Sequence, residues 1–263
     1  MRVLLLTALI AMASPAGAQE VKLLAAGSLR GAMTELAAAH GGVSAGFGPS
    51  GLLRERIEKG EAADLFASAN LAHPARLAAA HGRPMVLFAR NRLCAVARPG
   101  LGVTSATLLA SMLDPAIALG TSTPRTDPSG DYAWEVFAKA EAIRPGARAA
   151  LEAKAKQLVG GPASLPIPAG ISAYGFHISS GNADIFLSYC TNARDAAREV
   201  PGATTIALPP ELAVGAEYGM VVLSDAAPAA RFALFVLSPP GQAILAKHGF
   251  EAPTAPQIER LAP

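Results

Sequence analysis

The chain has 263 residues, 51% of them hydrophobic and only 16% charged, against roughly 25% charged in an average soluble domain, and this excludes a disordered chain. Twenty-two Lys and Arg against twenty Asp and Glu leave a formal charge of +2. That is too little for a protein that gains affinity by neutralising many phosphates, so nucleic acid is excluded as a partner.

The first eighteen residues read as a secretory signal: Arg2, an apolar run from Val3 to Ala13, Pro15, and the small-residue ending Ala16-Gly17-Ala18. Cleavage is expected before Gln19, which makes the mature protein exported and periplasmic. The run falls short of the about twenty apolar residues that span a bilayer. No later stretch reaches that length free of charge or proline, and no cysteine follows the run to take a lipid. Roughly 245 mature residues suffice for one large domain or two of about 120. The two cysteines, Cys94 and Cys190, sit in an exported chain where oxidising conditions favour pairing, two buried thiols being the other reading.

Val21 to Ala26 has strand character, and after Gly27-Ser28 the residues Leu29, Ala32, Met33, Leu36 and Ala37 recur at helical spacing. Gly41-Gly42 ends that helix, Val43 to Phe47 forms a second strand, and Gly48-Pro49-Ser50-Gly51 opens a helix carrying Leu53 and Ile57. Asp64 to Ala67 is a third strand and Leu71 to Ala80 a third helix. This alternation predicts an α/β fold with a mainly parallel sheet flanked by helices.

Two apolar runs, Met85 to Ala89 and Leu93 to Ala97, read as strands leaving a first lobe. A second series follows: a strand at Ile117 to Gly120, a polar loop from Thr121 to Gly130, a helix from Asp131 to Ala142, and a further helix marked by Leu151, Ala155 and Leu158. Gly160 to Gly170 is a Gly/Pro-rich loop, Ile171 to Ser180 a short helix, and Asp184 to Tyr189 a strand. Tyr218 to Leu223 is a strand that returns to the first lobe, completed by helices at Pro228 to Leu237 and Pro239 to Lys247. The expected division is residues 19–90 plus 216–263 against 91–215.

Four places share one pattern, in which a strand or loop ends, a Gly or Ser follows, and a helix starts: Gly27-Ser28, Pro49-Ser50-Gly51, Pro128-Ser129-Gly130 and Ile171-Ser172. A helix start exposes unpaired amides and the positive end of the helix dipole, which suits an anion. In open α/β folds such starts gather at the carboxyl edge of the sheet. Serine is also an ordinary helix cap, worth about 1 kcal/mol, so it is the set of four that points to a ligand. About seven neutral donors at roughly 1.5 to 3 kcal/mol each suffice to hold one small dianion without a countercharge. Arg30, Arg54 and Arg125 then read as rim residues that steer anions inward.

Enzyme chemistry finds no support. Ser50 lacks the G-x-S-x-G elbow of a nucleophile, and His40, His73, His81, His177 and His248 are scattered without metal-ligand spacing. No G-x-G-x-x-G follows a strand, no Walker loop is present, and no carboxylate pair suits acid–base work. No cofactor and no directly ligated metal cation is expected.

An ordered series of segments resembles the periplasmic molybdate-binding proteins of ABC transporters. The segments are Ala25-Ala26-Gly27-Ser28-Leu29, Gly60 through Ala69, Ala89 through Leu93, Pro128 through Ala133, Gly181 through Phe186, Tyr189 through Ala193, and Phe235 through Pro239. The resemblance implies a two-lobe, class II solute-binding fold with the ligand in the cleft between α/β lobes. It implies that Ser28 and Ser50 donate from the first lobe, that Ser129 and Ile171 donate backbone amides from the second, and that Tyr189 adds a hydroxyl. The implied ligand is a tetrahedral oxyanion, molybdate or tungstate, delivered by a monomeric receptor to the membrane subunits of an ABC permease. Another small anion or metal complex in the same fold, or an exported enzyme or sensor subunit, are the alternatives. The chain departs from the family at Gly48-Pro49-Ser50-Gly51, at Ser129 where a small apolar residue is common, at Cys190, and in the loop from Gly160 to Gly170.

Overall fold

The computed structural model describes residues 20–253. The expected signal at residues 1–18 lies outside them. In strand β1 (Val21–Ala26) every residue except Lys22 is buried, as a strand covered on both faces requires. It leads through a short 3₁₀ turn into helix α1 (Arg30–His40), which buries Ala32, Met33 and Leu36. Strand β2 (Val43–Gly48), helix α2 (Ser50–Glu58), strand β3 (Leu65–Ser68) and helix α3 (Ala72–His81) repeat the unit. Strands β2 and β3 pair in parallel with either side of β1.

The two apolar runs from Met85 form one thirteen-residue strand, β4 (Met85–Ala97), kinked by an irregularity between Leu87 and Ala89. Its first part pairs antiparallel with β9 (Gly215–Val222), which itself pairs antiparallel with β3. Its second part pairs antiparallel with β7 (Ile185–Tyr189) and β8 (Thr204–Ala207). One strand therefore belongs to both lobes. The second lobe continues with α4 (Leu108–Leu113), β5 (Leu119–Ser122), α5 (Pro128–Ile143), α6 (Ala147–Lys154), β6 (Lys156–Val159), α7 (Ala173–Ser179) and α8 (Cys190–Glu199). Strand β5 pairs in parallel with β6 and β7. Helices α9 (Ala227–Leu237) and α10 (Pro239–Lys247) return to pack on α1. Each lobe is parallel away from β4 and β9 and antiparallel where those crossing strands enter. Among the described residues, no single helix is long and apolar enough to cross a membrane.

The structure corrects three local expectations. Leu158 lies in strand β6 rather than extending a helix from Leu151, because α6 ends at Lys154 and Ala155 is already extended. Helix α5 begins at Pro128, three residues before the expected Asp131: Asp127 caps it through the Ser129 amide, and proline fits a first helical turn. Helix α8 was not expected: Cys190, Ala193, Ala196 and Val200 do recur at helical spacing, but its apolar face is short and made of small residues, with Thr191 and Asn192 buried beside it. Cys94 of β4 and Cys190 at the start of α8 form a disulfide, with Cα atoms 4.7 Å apart.

Candidate binding site

The carboxyl ends of β1, β2, β6 and β7 converge on one cavity of about 1070 Å³ between the lobes. Ser28, Ser50 and Ala69 line it from the first lobe, and Asp127, Ile171, Ser172, Tyr174 and Tyr189 line it from the second. Four of the five residues expected to hold the ligand, Ser28, Ser50, Ile171 and Tyr189, therefore share one space. Ser129 is the exception. Its amide donates to Asp127 Oδ1 at 3.0 Å, and its hydroxyl is buried without a partner. Asp127, two residues earlier, stands in the wall in its place.

Each wall residue is held by neighbours. Ser28 Oγ and Tyr218 Oη lie 3.0 Å apart, and Asn91 Nδ2 reaches the same Tyr218 oxygen at 3.4 Å. Ser50 Oγ accepts from the Ala69 amide at 3.1 Å, which leaves its proton to donate elsewhere. Tyr189 Oη donates to the Ala69 carbonyl at 3.3 Å, so a second-lobe hydroxyl meets first-lobe backbone. Burial holds the Tyr189 and Tyr218 hydroxyls well above the ordinary tyrosine range, so both remain neutral donors.

The lobes also touch directly. The Gly51 amide, in the first turn of α2, donates to the Thr126 carbonyl at 2.9 Å. A Cβ at Gly51 would come within 2.5 Å of the Arg125 carbonyl and 2.8 Å of the Thr126 carbonyl, so only glycine permits this approach. The facing loop is strained: Arg125 has φ 68°, unusual for a residue with a side chain, and its amide is tied to Asp131 Oδ1 at 2.7 Å.

Charges in the wall are mostly paired within the chain. Glu35 meets Lys247 and His248, Asp195 meets Arg198, and Glu199 Oε2 accepts from the Ser172 amide and hydroxyl. The Arg30 guanidinium lies over the Phe47 ring at 4.7 Å. Asp127 has no basic partner among the described residues. Desolvation pushes its carboxyl up to about 6, against the lowering effect of the Ser129 amide. No cluster of His, Cys, Asp or Glu suited to a metal ion occurs among the described residues.

The model of the bacterial extracellular solute-binding proteins matches residues 21–251, which takes in both lobes and the cleft. The chain belongs to this family. The family is typically non-enzymatic and works outside the cytoplasm, in the periplasm. An uncharacterized protein of Pasteurella multocida is a relative 36% identical over 212 residues, 78% of this chain and 87% of its own. The periplasmic molybdate-binding protein of Azotobacter vinelandii has a similar fold, with a TM-score of 0.69 at 20% identity, covering 89% of this chain and 100% of that one. The sulfate-binding protein SubI of Mycobacterium tuberculosis matches with a TM-score of 0.69 at 19% identity, over 90% of this chain and 88% of that one.

Three features of the site in this solute-binding protein escaped sequence reading. Asp127 directly precedes the Pro128-Ser129-Gly130 motif and signals a helix cap, but its burial against the cavity depends on Gly160, where a Cβ would come within 2.8 Å of Oδ2. Glu199 reaches Ser172 from 27 residues away, and Gly51 meets a carbonyl of the other lobe. No local pattern carries either contact.

Proposed function

We propose that the protein is the capture subunit of an ABC importer, which takes a small oxyanion between its lobes by uncharged hydrogen-bond donors and delivers it to a membrane permease. The observation that carries this reading is the convergence of Ser28, Ser50, Ile171 and Tyr189, from both lobes, on one cavity. Similar folds in a molybdate-binding and a sulfate-binding protein support an oxyanion as the ligand. Molybdate or tungstate is the ligand favoured by the sequence motifs. The two ions are close in size and charge, so donor geometry alone hardly separates them.

Closure works as a population shift: an anion that bonds both walls binds the closed form better than the open one, and so favours it. The bonds of Tyr189 to Ala69 and of Gly51 to Thr126 already join the two walls. The carboxyl of Asp127 in the wall favours a second reading, in which the ligand is another small anion in the same cleft.

A thermal-shift series with molybdate, tungstate, sulfate and phosphate tests the function, because ligand at a thousand times its Kd stabilises by about 4 kcal/mol. At least one of these anions is expected to raise Tm. Tyr189→Phe is expected to weaken that anion by about 1 to 3 kcal/mol. No shift with any oxyanion contradicts the reading.

A further inference from the structure

The helix starts that face the cavity are of two kinds. In the first lobe, α1 and α2 begin at Leu29 and Pro49 with no side chain accepting from their amides. In the second lobe, side chains occupy both starts: Asp127 caps α5, and the Ser172 hydroxyl, itself held by Glu199, accepts from the Gly175 amide at the start of α7. Asp127 Oδ1 takes the Ser129 amide at 3.0 Å, and Glu199 Oε2 takes the Ser172 amide at 2.9 Å and the Ser172 hydroxyl at 2.6 Å. The amide that sequence reasoning assigned to the ligand at Ser129 is thus already spent. The first wall offers donors; the second sets a carboxylate acceptor, Asp127, beside the Tyr189 hydroxyl.

We propose that Asp127 is a specificity-determining residue, which selects an anion carrying its own hydrogen-bond donor over a bare oxyanion such as molybdate or sulfate. This inference rests on the oxyanion reading above and narrows its ligand class.

A bare dianion set beside an ionised carboxylate meets like charge where water is scarce and screening is weak. An anion that retains a proton, or bears a hydroxyl or ammonium group, instead donates to the carboxylate in a charge-assisted hydrogen bond. No cation acts directly on Asp127: Arg30 and Arg198 line the same cavity, but the first lies over Phe47 and the second pairs with Asp195. The titratable groups that face it are Asp131 on its own helix, Tyr174 on α7 and Tyr189 at the end of β7, and none of them is basic. The buried Ser129 hydroxyl beside it has no partner in the protein. Below about pH 6 the Asp127 carboxyl takes up a proton and becomes a donor itself, so a bare oxyanion is tolerated there. Affinity for sulfate is therefore expected to rise as the pH falls from 8 to 5, a range in which sulfate itself gains no proton.

Isothermal titration of the purified protein and of Asp127→Asn with matched anion pairs tests the proposal. Hydrogen phosphate against sulfate places the donor on the head group; phosphoethanolamine against ethyl phosphate places it on a tail. At pH 8 the donor-bearing member of at least one pair is expected to bind about tenfold or more tighter to the wild type. Asp127→Asn is expected to erase that preference and to flatten the pH dependence of sulfate binding. The pair that shows the preference locates the donor. Equal affinities within both pairs, or a preference and pH dependence unchanged in Asp127→Asn, overturn the role of Asp127 while oxyanion binding stands. If none of these anions, nor molybdate, binds either protein between pH 5 and 8, both the inference and the oxyanion reading fall. Asn caps a helix as well as Asp does, and the circular dichroism of the variant shows whether it is folded.

Discussion

The two walls of the cleft solve the same local problem in opposite ways. On the first-lobe side, β1 and β2 end in small residues, and the helices that follow start without side-chain caps. On the second-lobe side, β5 leads to Asp127 and α7 starts at Ser172, and both starts are closed by side chains, the Asp127 carboxylate and the Ser172 hydroxyl that Glu199 holds. The second lobe is also the one held by a disulfide. A motif common to all four places, small residue then helix, thus describes a seat for an anion but does not say whether the chain has already filled it. The filled seats fix the second wall in place, while the first wall keeps the Ser28 and Ser50 hydroxyls for a ligand, its Gly51 amide being taken by the Thr126 carbonyl.

The contrast in covalent support carries the largest expected effect. Replacing Cys94 and Cys190 together by serine opens a link spanning 96 residues, which the loop-entropy model values at about 4 to 5 kcal/mol. Chemical denaturation is expected to show that loss. A loss below about 1 kcal/mol would make the second lobe independent of its cross-link.

The buried carboxyl comes next. Asp127 has a folded-state value near 6, above the 3.8 of an ordinary aspartate, so the native protein keeps a proton that the unfolded chain releases. Stability from this group is complete below about pH 4, falls by about 3 kcal/mol as the pH rises to about 6, and is flat beyond. Asp127→Asn removes that decline. Parallel denaturation curves of both proteins between pH 4 and 8 check it, and identical pH profiles contradict the burial of a lone charge.

The contact between lobes gives a smaller effect on binding alone. Gly51→Ala puts a methyl group against the Arg125 and Thr126 carbonyls and is expected to lower anion affinity about tenfold, or ~1.4 kcal/mol, by disfavouring the closed form. The unliganded Tm is expected to hold, because alanine suits a helix better than glycine. Small-angle scattering then shows a more open particle. The smallest effect is that of Ser28→Ala, about 1 kcal/mol in affinity by titration, since Ser28 Oγ already has Tyr218 as a partner.

Much of this architecture is legible in the sequence because strands and helices alternate with clear apolar periods, as from Val21 to His81. The return of β9 to the first lobe was legible for the same reason. What was hidden lies in polar contacts and small residues, which carry no strong apolar signal, and several of those contacts are distant in sequence. Helix α8 buries small and polar residues, so its apolar face, Cys190, Ala193 and Ala196, is a weak signal. Ser129 reads as a donor until Asp127 is seen to take its amide, a bond of two residues' span whose burial depends on Gly160 folding over it. Tyr189 was legible as a wall residue, whereas its bond to Ala69, 120 residues away, was not.

The most direct test of the cleft as an oxyanion seat is anomalous diffraction at the arsenic edge from crystals grown with arsenate, a tetrahedral anion that keeps a proton near neutral pH. The account predicts one arsenic peak between the lobes, within hydrogen-bond reach of Ser28 and Ser50 on one side and of Tyr189 or Asp127 on the other. Arsenic found only on exposed arginines, with the cleft empty at saturating arsenate, would contradict it.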